Sequence, residues 1–362
     1  MSDDPAHPAN PLDLARASYA AGRYAQALGE ARGLWLDREG DLQARGHAGQ
    51  LAAQAAYRLG EYGQARELLE PVAQLLGVSG QAPERFDLLA VAVVVHGELG
   101  HYGDALEALR LLHAHGARTA SLTNHVRARG TAALCLALIG DPWAALRLLA
   151  EAAGHLRALP DAAPLEATVC TNHASVCLQA ARLLRESGDE AACLAQVAAA
   201  TVSTARTRQL AAERHDSRLA AFTGVHEAEA ALLRGEPHEA LPVLEAALAR
   251  ALAHDLRGHA RRLRLLLAQA QAATGDDARA DATLDQLQAA LDEGHEWQSH
   301  LGLHEQRHAV RSRLGDTAGA LRSLRTWREL QLRRHARQLE AQSRFLRLRL
   351  ELEHLYKQPW RA

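Results

Sequence analysis

Two groups of side chains in this sequence have the types and spacing for metal chemistry. His304-Glu305-Gln306-Arg307-His308 fits H-E-x-x-H, and His300 lies four residues before His304. On a helix, histidines at i and i+4 share a face and grip zinc, and the glutamate between them serves as the general base of a hydrolase. The signal is thin, because the sequence holds 20 histidines in 362 residues. About 0.07 such matches arise by chance at these residue frequencies. The second group is Cys170, His173 and Cys177. Two helical turns separate its thiols, an awkward span for one zinc ion, so buried small hydrophobes are the simpler reading. The sequence contains no Walker loop, no G-x-G-x-x-G after a strand and no G-x-S-x-G elbow. No catalytic residue, metal or cofactor is expected. His300, His304 and His308 are the residues that would hold zinc in the hydrolase alternative.

Composition narrows the class of protein. The chain is 48% hydrophobic and carries a formal charge of −2, too apolar and too evenly charged for a disordered chain. It is not globally basic, which argues against a nucleic-acid partner. Its longest apolar run, Leu88 to Val95, is eight residues, far short of the ~18–20 that a membrane helix needs. The first ten residues mix acidic residues and prolines, unlike a secretory leader. They read as a disordered tail of a cytoplasmic protein. Alanine, leucine and arginine dominate while β-branched and aromatic residues are sparse, which favours helix over strand.

The elements that must position any site follow from one recurring pattern. A glycine is followed, often within three residues, by an aromatic, and then by alanine five after the glycine. It reads Gly22-Arg-Tyr24 with Ala27, Gly60-Glu-Tyr62 with Ala65, Gly100-His-Tyr102 with Ala105, and Gly140 with Trp143 and Ala145. Looser copies start at Gly188 (Cys193 replaces Ala), Gly235 with Ala240, Gly275 with Ala280, and Gly315 with Ala320. Successive glycines lie 38, 40, 40, 48, 47, 40 and 40 residues apart. Seven residues before the glycine sits a second small residue, Ala15, Ala53, Ala133, Ala181, Ala228 or Ala268, with Val93 in the third copy and His308 in the eighth. Glycine ends one helix, and the two small residues let the next helix cross it closely. Each copy is a helical hairpin that buries its apolar face only by stacking on neighbours.

These positions resemble the signature of the tetratricopeptide repeat, and the resemblance spans roughly residues 10–330. It implies an all-α, right-handed α-solenoid of about eight hairpins over 11–335, near 11–38, 40–76, 83–115, 119–158, 164–206, 212–253, 255–292 and 295–335. The usual unit is about 34 residues, so longer helices or longer turns are expected here. The resemblance is greatest to divergent, long-unit bacterial repeats that form sensory regions of signalling proteins. It implies a concave groove lined by the first helix of each hairpin, binding a protein or peptide. Carried over by the glycine register, its groove residues are Arg16 and Tyr19 in copy one, and Gln50, Gln54, Tyr57 and Arg58 in copy two. Asp87, Glu98 and Arg127 follow in copies three and four, then Arg182, Arg185, Phe222, Glu229, Arg262 and Gln269 in copies five to seven. The family's paired Lys/Asn clamp for a carboxylate tail is absent.

After Gly315 no helix breaker appears before Pro359. One helix is therefore expected from about Thr317 to Lys357, its last part (336–362) projecting as a basic amphipathic helix. Ala341, Phe345, Leu348, Leu352 and Leu355 are spaced 4, 3, 4 and 3 residues apart, a coiled-coil seam. Two arrangements are open: a homodimer or partner docked on that seam, or a helix folded back as a cap. The functional expectation is a non-catalytic binding scaffold or sensor. The alternative, which the resemblance implies, is a signal-transduction module acting on a separate output enzyme of diguanylate cyclase or kinase type, or on a transcription complex.

Overall fold

The computed structural model describes residues 10–39, 41–78, 82–119, 121–292 and 296–356, and of residues 82, 119 and 349–356 the backbone alone. Nine of the ten expected tail residues lie outside that range, while Asn10 caps the first helix, its Oδ1 accepting from Leu12 N. Among the described residues there are sixteen α-helices and no strand. They pair as α1 (Pro11–Ala20) with α2 (Tyr24–Leu36), α3 (Leu42–Leu59) with α4 (Tyr62–Val78), and α5 (Ala82–Glu98) with α6 (Tyr102–Thr119). Next come α7 (Leu122–Leu138) with α8 (Pro142–Leu156), and α9 (Ala163–Glu186) with α10 (Glu190–Glu213). The last pairs are α11 (Ser217–Arg234) with α12 (Pro237–Ala253), α13 (Arg257–Ala273) with α14 (Asp277–Ala289), and α15 (Trp297–Arg313) with α16 (Thr317–Tyr356).

The repeat pattern places every hairpin. All eight glycines of the pattern adopt positive φ, from 73° to 94°. The residues five after them are at most 4% exposed, and the seven small residues that precede them are fully buried. The two wide spacings have a plain cause. α9 and α10 each run 24 residues where α3 to α7 run 17 or 18, so the fifth hairpin is longer by about two turns.

Each odd-numbered helix packs on the next odd-numbered one, from α1 to α15, and each even-numbered helix from α2 to α14 fills the outer groove between two of them. The odd helices thus form the inner layer. The superhelix then meets itself. A Cβ built on Gly22 in the first turn would lie 3.9 Å from Ser217 Oγ at the start of α11. One on Gly60 would lie 2.6 Å from Gly258 Cα in α13, and one on Gly100 3.4 Å from Trp297 at the start of α15. Hairpins one, two and three therefore touch hairpins six, seven and eight.

The fourth turn would meet a ninth hairpin, and α16 takes that place. Gln338 Nε2 donates to Leu138 O at 3.1 Å and Gln342 Nε2 to Ile139 O at 3.0 Å. Arg337 Nη1 donates to Gly100 O at 3.4 Å. These side chains satisfy carbonyls that helix ends leave unpaired. Ala341 (1% exposed) and Leu348 (8%) join the main core, and Phe345 packs against it. The expected projection from residue 336 is thus corrected as far as residue 348: the helix folds back onto α6, because its seam finds apolar partners in the same chain. The side chains of Leu352 and Leu355, and residues 357–362 altogether, lie outside the described residues. The opposite face of α16 leaves Leu332, Leu339 and Leu346 exposed at seven-residue spacing.

Candidate ligand groove

Six inner helices converge on one cavity of about 220 Å³. Tyr19 enters it from α1; Gln54, Tyr57 and Arg58 from α3; Asp87, Val91 and Val94 from α5. Arg127, Thr131 and Leu134 come from α7, Val169 and Asn172 from α9, and Arg218, Leu219 and Phe222 from α11. Tyr19 is three residues before its turn glycine and Arg218 is seventeen before its own. The cavity therefore crosses the inner layer diagonally, from the C-terminal end of α1 to the N-terminal end of α11. Superhelical twist produces this drift.

Polar groups in the cavity are sparse and oriented. Arg127 and Asp87 form an ion pair between neighbouring hairpins, and the Arg127 guanidinium lies 5.0 Å from the Phe86 ring centroid. Arg58 Nε donates to Tyr19 Oη at 3.1 Å and its guanidinium stacks 5.4 Å from the Tyr57 centroid. Arg218 lies 5.6 Å from the Phe222 centroid. Burial pushes the Tyr24 hydroxyl, behind these groups, above its ordinary pKa, against the pull of Arg218 and Arg58. Burial, with Arg218, Arg262 and Arg58 nearby, pushes His259 down to about 3 and keeps that ring neutral. The floor is apolar, supplied by Val91, Val94, Val169 and Leu219.

Of the fifteen groove residues carried over from the resemblance, Tyr19, Gln54, Tyr57, Arg58, Asp87, Arg127 and Phe222 line this cavity. Others are spent on the scaffold. Glu229, with a side chain only 3% exposed, bridges Arg182 at 3.0 Å and Arg262 at 2.9 Å. Burial raises its carboxyl, and the two guanidiniums outweigh burial and hold it below the ordinary value. Arg185 donates to Leu232 O at 3.4 Å and also to Leu233 O, capping α11. Glu98 is half-buried near Glu296; burial, then Glu296, pushes it up to about 7. Arg16 is exposed and pairs with Asp13. Gln50 and Gln269 are half-buried and line no part of the cavity. Sequence reasoning missed Arg218, Val169 and Asn172, since a fixed offset from the glycine cannot follow a diagonal.

The histidines of the H-E-x-x-H stretch serve local packing. His300 Nε2 bonds Asp292 O at 2.8 Å, and His308 Nδ1 bonds Ala320 O at 3.1 Å. His304 Nδ1 is buried without a hydrogen-bond partner, and Glu305 is exposed. Among the described residues, the set able to bring three ligand atoms within 4.8 Å of one another is instead His96, His101 and Asp104. Cys177 is buried with Sγ 3.7 Å from His173 Nδ1, and burial pushes its thiol up to about 12, the environment of an inert core thiol. Among the described residues, no helix is long and apolar enough to cross a membrane.

The architecture has counterparts among solved structures. A Rap protein complexed with Competence and Sporulation Factor superposes with a TM-score of 0.64 at 11% identity, covering 92% of this chain and 90% of that one. NprR in complex with its cognate peptide NprX superposes with a TM-score of 0.63 at 12% identity, covering 88% and 85%. This chain has the fold of a tetratricopeptide-type helical-repeat solenoid. Its tetratricopeptide-type units run near 40 residues through longer helices, and the eight of them make a closed turn. No protein-family model and no curated protein matches the sequence.

Proposed function

We propose that this chain is a non-catalytic scaffold or sensor that binds a short extended peptide in the cavity of its inner layer. The observation that carries this reading is the convergence of six successive inner helices on one cavity with an apolar floor and a few oriented polar groups, the make-up of a specific binding site. The fold likeness to two structures solved with a bound factor or peptide supports it and favours it over control of a separate cyclase or kinase. A bound peptide would span hairpins one to six and so strengthen the contacts that close the turn. Partner docking falls to the exposed leucines of α16, since the described part of the seam, Ala341, Phe345 and Leu348, is engaged within the chain.

The test is selection of random heptapeptides against the full-length chain, followed by titration of the enriched peptides. Thr131→Trp places a bulky ring in the middle of the cavity. It should weaken every selected peptide at least tenfold while leaving the melting temperature within a few degrees. Peptides that bind the variant as tightly as the original chain would place the site elsewhere.

A further inference from the structure

Where the superhelix closes and the first turn meets α11, the cavity is electrostatically unfinished. Arg58 and Arg218 both line it. Among the described residues, neither has a carboxylate partner. The terminal nitrogens of Arg58 and all side-chain nitrogens of Arg218 make no hydrogen bond there. The two guanidiniums repel each other, and Arg218 is held below its ordinary value by burial first and Arg58 second. Asp216, two residues before Arg218, is already committed. Its Oδ1 accepts from Arg218 N and Leu219 N, both at 3.0 Å, as the N-cap of α11. Three other arginines near the cavity are balanced: Arg127 has Asp87, and Arg182 and Arg262 share Glu229. Two unpaired, half-buried cations lining one cavity cost stability, and a planar anion bound between them removes that cost.

The surroundings say which anion. Tyr57 and Phe222 lie against the guanidiniums of Arg58 and Arg218, which both line the cavity. The floor leading up to them is Val91, Val94, Val169 and Leu219, which suits an apolar chain rather than a polyanion. Behind them the groove stops: Tyr24 packs against the apolar core shared by α11, α12 and α13, and the first turn meets Ser217 of α11. A chain that reaches the arginines ends there.

We propose that Arg58 and Arg218 form the subsite for the C-terminal carboxylate of the bound peptide, whose apolar side chains lie on the valine and leucine floor. This rests on the peptide-groove reading above, and the test separates the two. Heptapeptides selected as free acids are compared with the same sequences as C-terminal amides, by calorimetric titration of the full-length chain. The free acid binds about tenfold to a hundredfold tighter than the amide. Arg58→Gln and Arg218→Gln each reduce that ratio to near one, and Arg218→Lys restores part of it. Arg234→Gln, outside the cavity, leaves it unchanged. Circular dichroism of each variant checks that the helices are intact, and a glutamine variant that has lost them is replaced by its lysine counterpart, which must show a reduced ratio. Equal binding of acid and amide, with Thr131→Trp still blocking both, overturns the subsite and leaves the groove. Binding that Thr131→Trp does not touch, or no peptide from the pool, overturns both.

Discussion

Gly60 and Gly258 meet backbone to backbone, one in the turn of the second hairpin and the other in the first turn of α13. A Cβ on Gly60 would sit 2.6 Å from Gly258 Cα. Arg261 locks the same junction: its Nη2 donates to Gly60 O at 2.6 Å and to Glu296 Oε2 at 3.1 Å. Through this contact a linear stack of hairpins becomes a closed turn, and hairpins one and six come to share a cavity.

Gly60→Ala combines two penalties, a left-handed backbone at φ 80° and a clash with backbone that cannot move aside. Gly275→Ala carries only the first, since φ is 87° and nothing lies within 4 Å of its Cβ. Gly275→Ala should cost about 1–2 kcal/mol, and Gly60→Ala at least twice as much in urea unfolding. Equal costs would mean that the junction contributes nothing to stability.

Arg261→Met strands Glu296, whose carboxylate otherwise takes hydrogen bonds from Arg261 Nε and Nη2 and from Ser299 Oγ. Both side chains are under a tenth exposed, so the loss should be about 3–5 kcal/mol. Glu296→Gln keeps an uncharged acceptor for the arginine and should cost clearly less. Chemical denaturation at pH 7 of the two variants checks the order.

Glu98 gives the junction a pH dependence. Burial, then Glu296, raises its carboxyl to about 7 from 4.5. The folded chain therefore holds a proton that the unfolded chain releases, and stability falls as pH rises from 4.5 through 7 and then levels off. Glu98→Gln removes that penalty. The variant should match the original chain near pH 4.5 and exceed it at pH 8. Unfolding midpoints at both pH values decide it, since the opposing loss from neutral histidines such as His113 and His226, at about 3, is common to both chains. A constant difference across the range would contradict it.

The exposed Leu332, Leu339 and Leu346 form a stripe at seven-residue spacing, the repeat of a left-handed two-helix seam. Light scattering of the full-length chain should give a mass above 39.1 kDa, and Leu339→Glu should bring it back to that value. A mass of 39.1 kDa at every concentration would remove the homodimer.

The hairpins were legible in the sequence because they depend on local chemistry. Gly22 and Ala27, or Gly235 and Ala240, state a turn and a close crossing within six residues. The closure was not legible, because the meeting of Gly60 with Gly258 depends on a small rotation summed over five hairpins, which no local pattern records. The C-terminal helix shows the same limit. Ala341, Phe345 and Leu348 mark an apolar seam by their spacing, but the fourth turn that covers it is distant in sequence. For the groove, Tyr57 and Phe222 were found at fixed offsets, while Arg218 was missed because the cavity runs diagonally.

The most direct test of a peptide held across hairpins one to six is photo-crosslinking. A selected heptapeptide carrying benzoylphenylalanine at its centre is irradiated with the full-length chain, and the adducts are mapped by mass spectrometry. Labels are expected on α5, α7 and the N-terminal half of α9, at residues such as Val94, Thr131 and Val169. Labels confined to α16 or to the outer helices α4, α8 and α10 would contradict it.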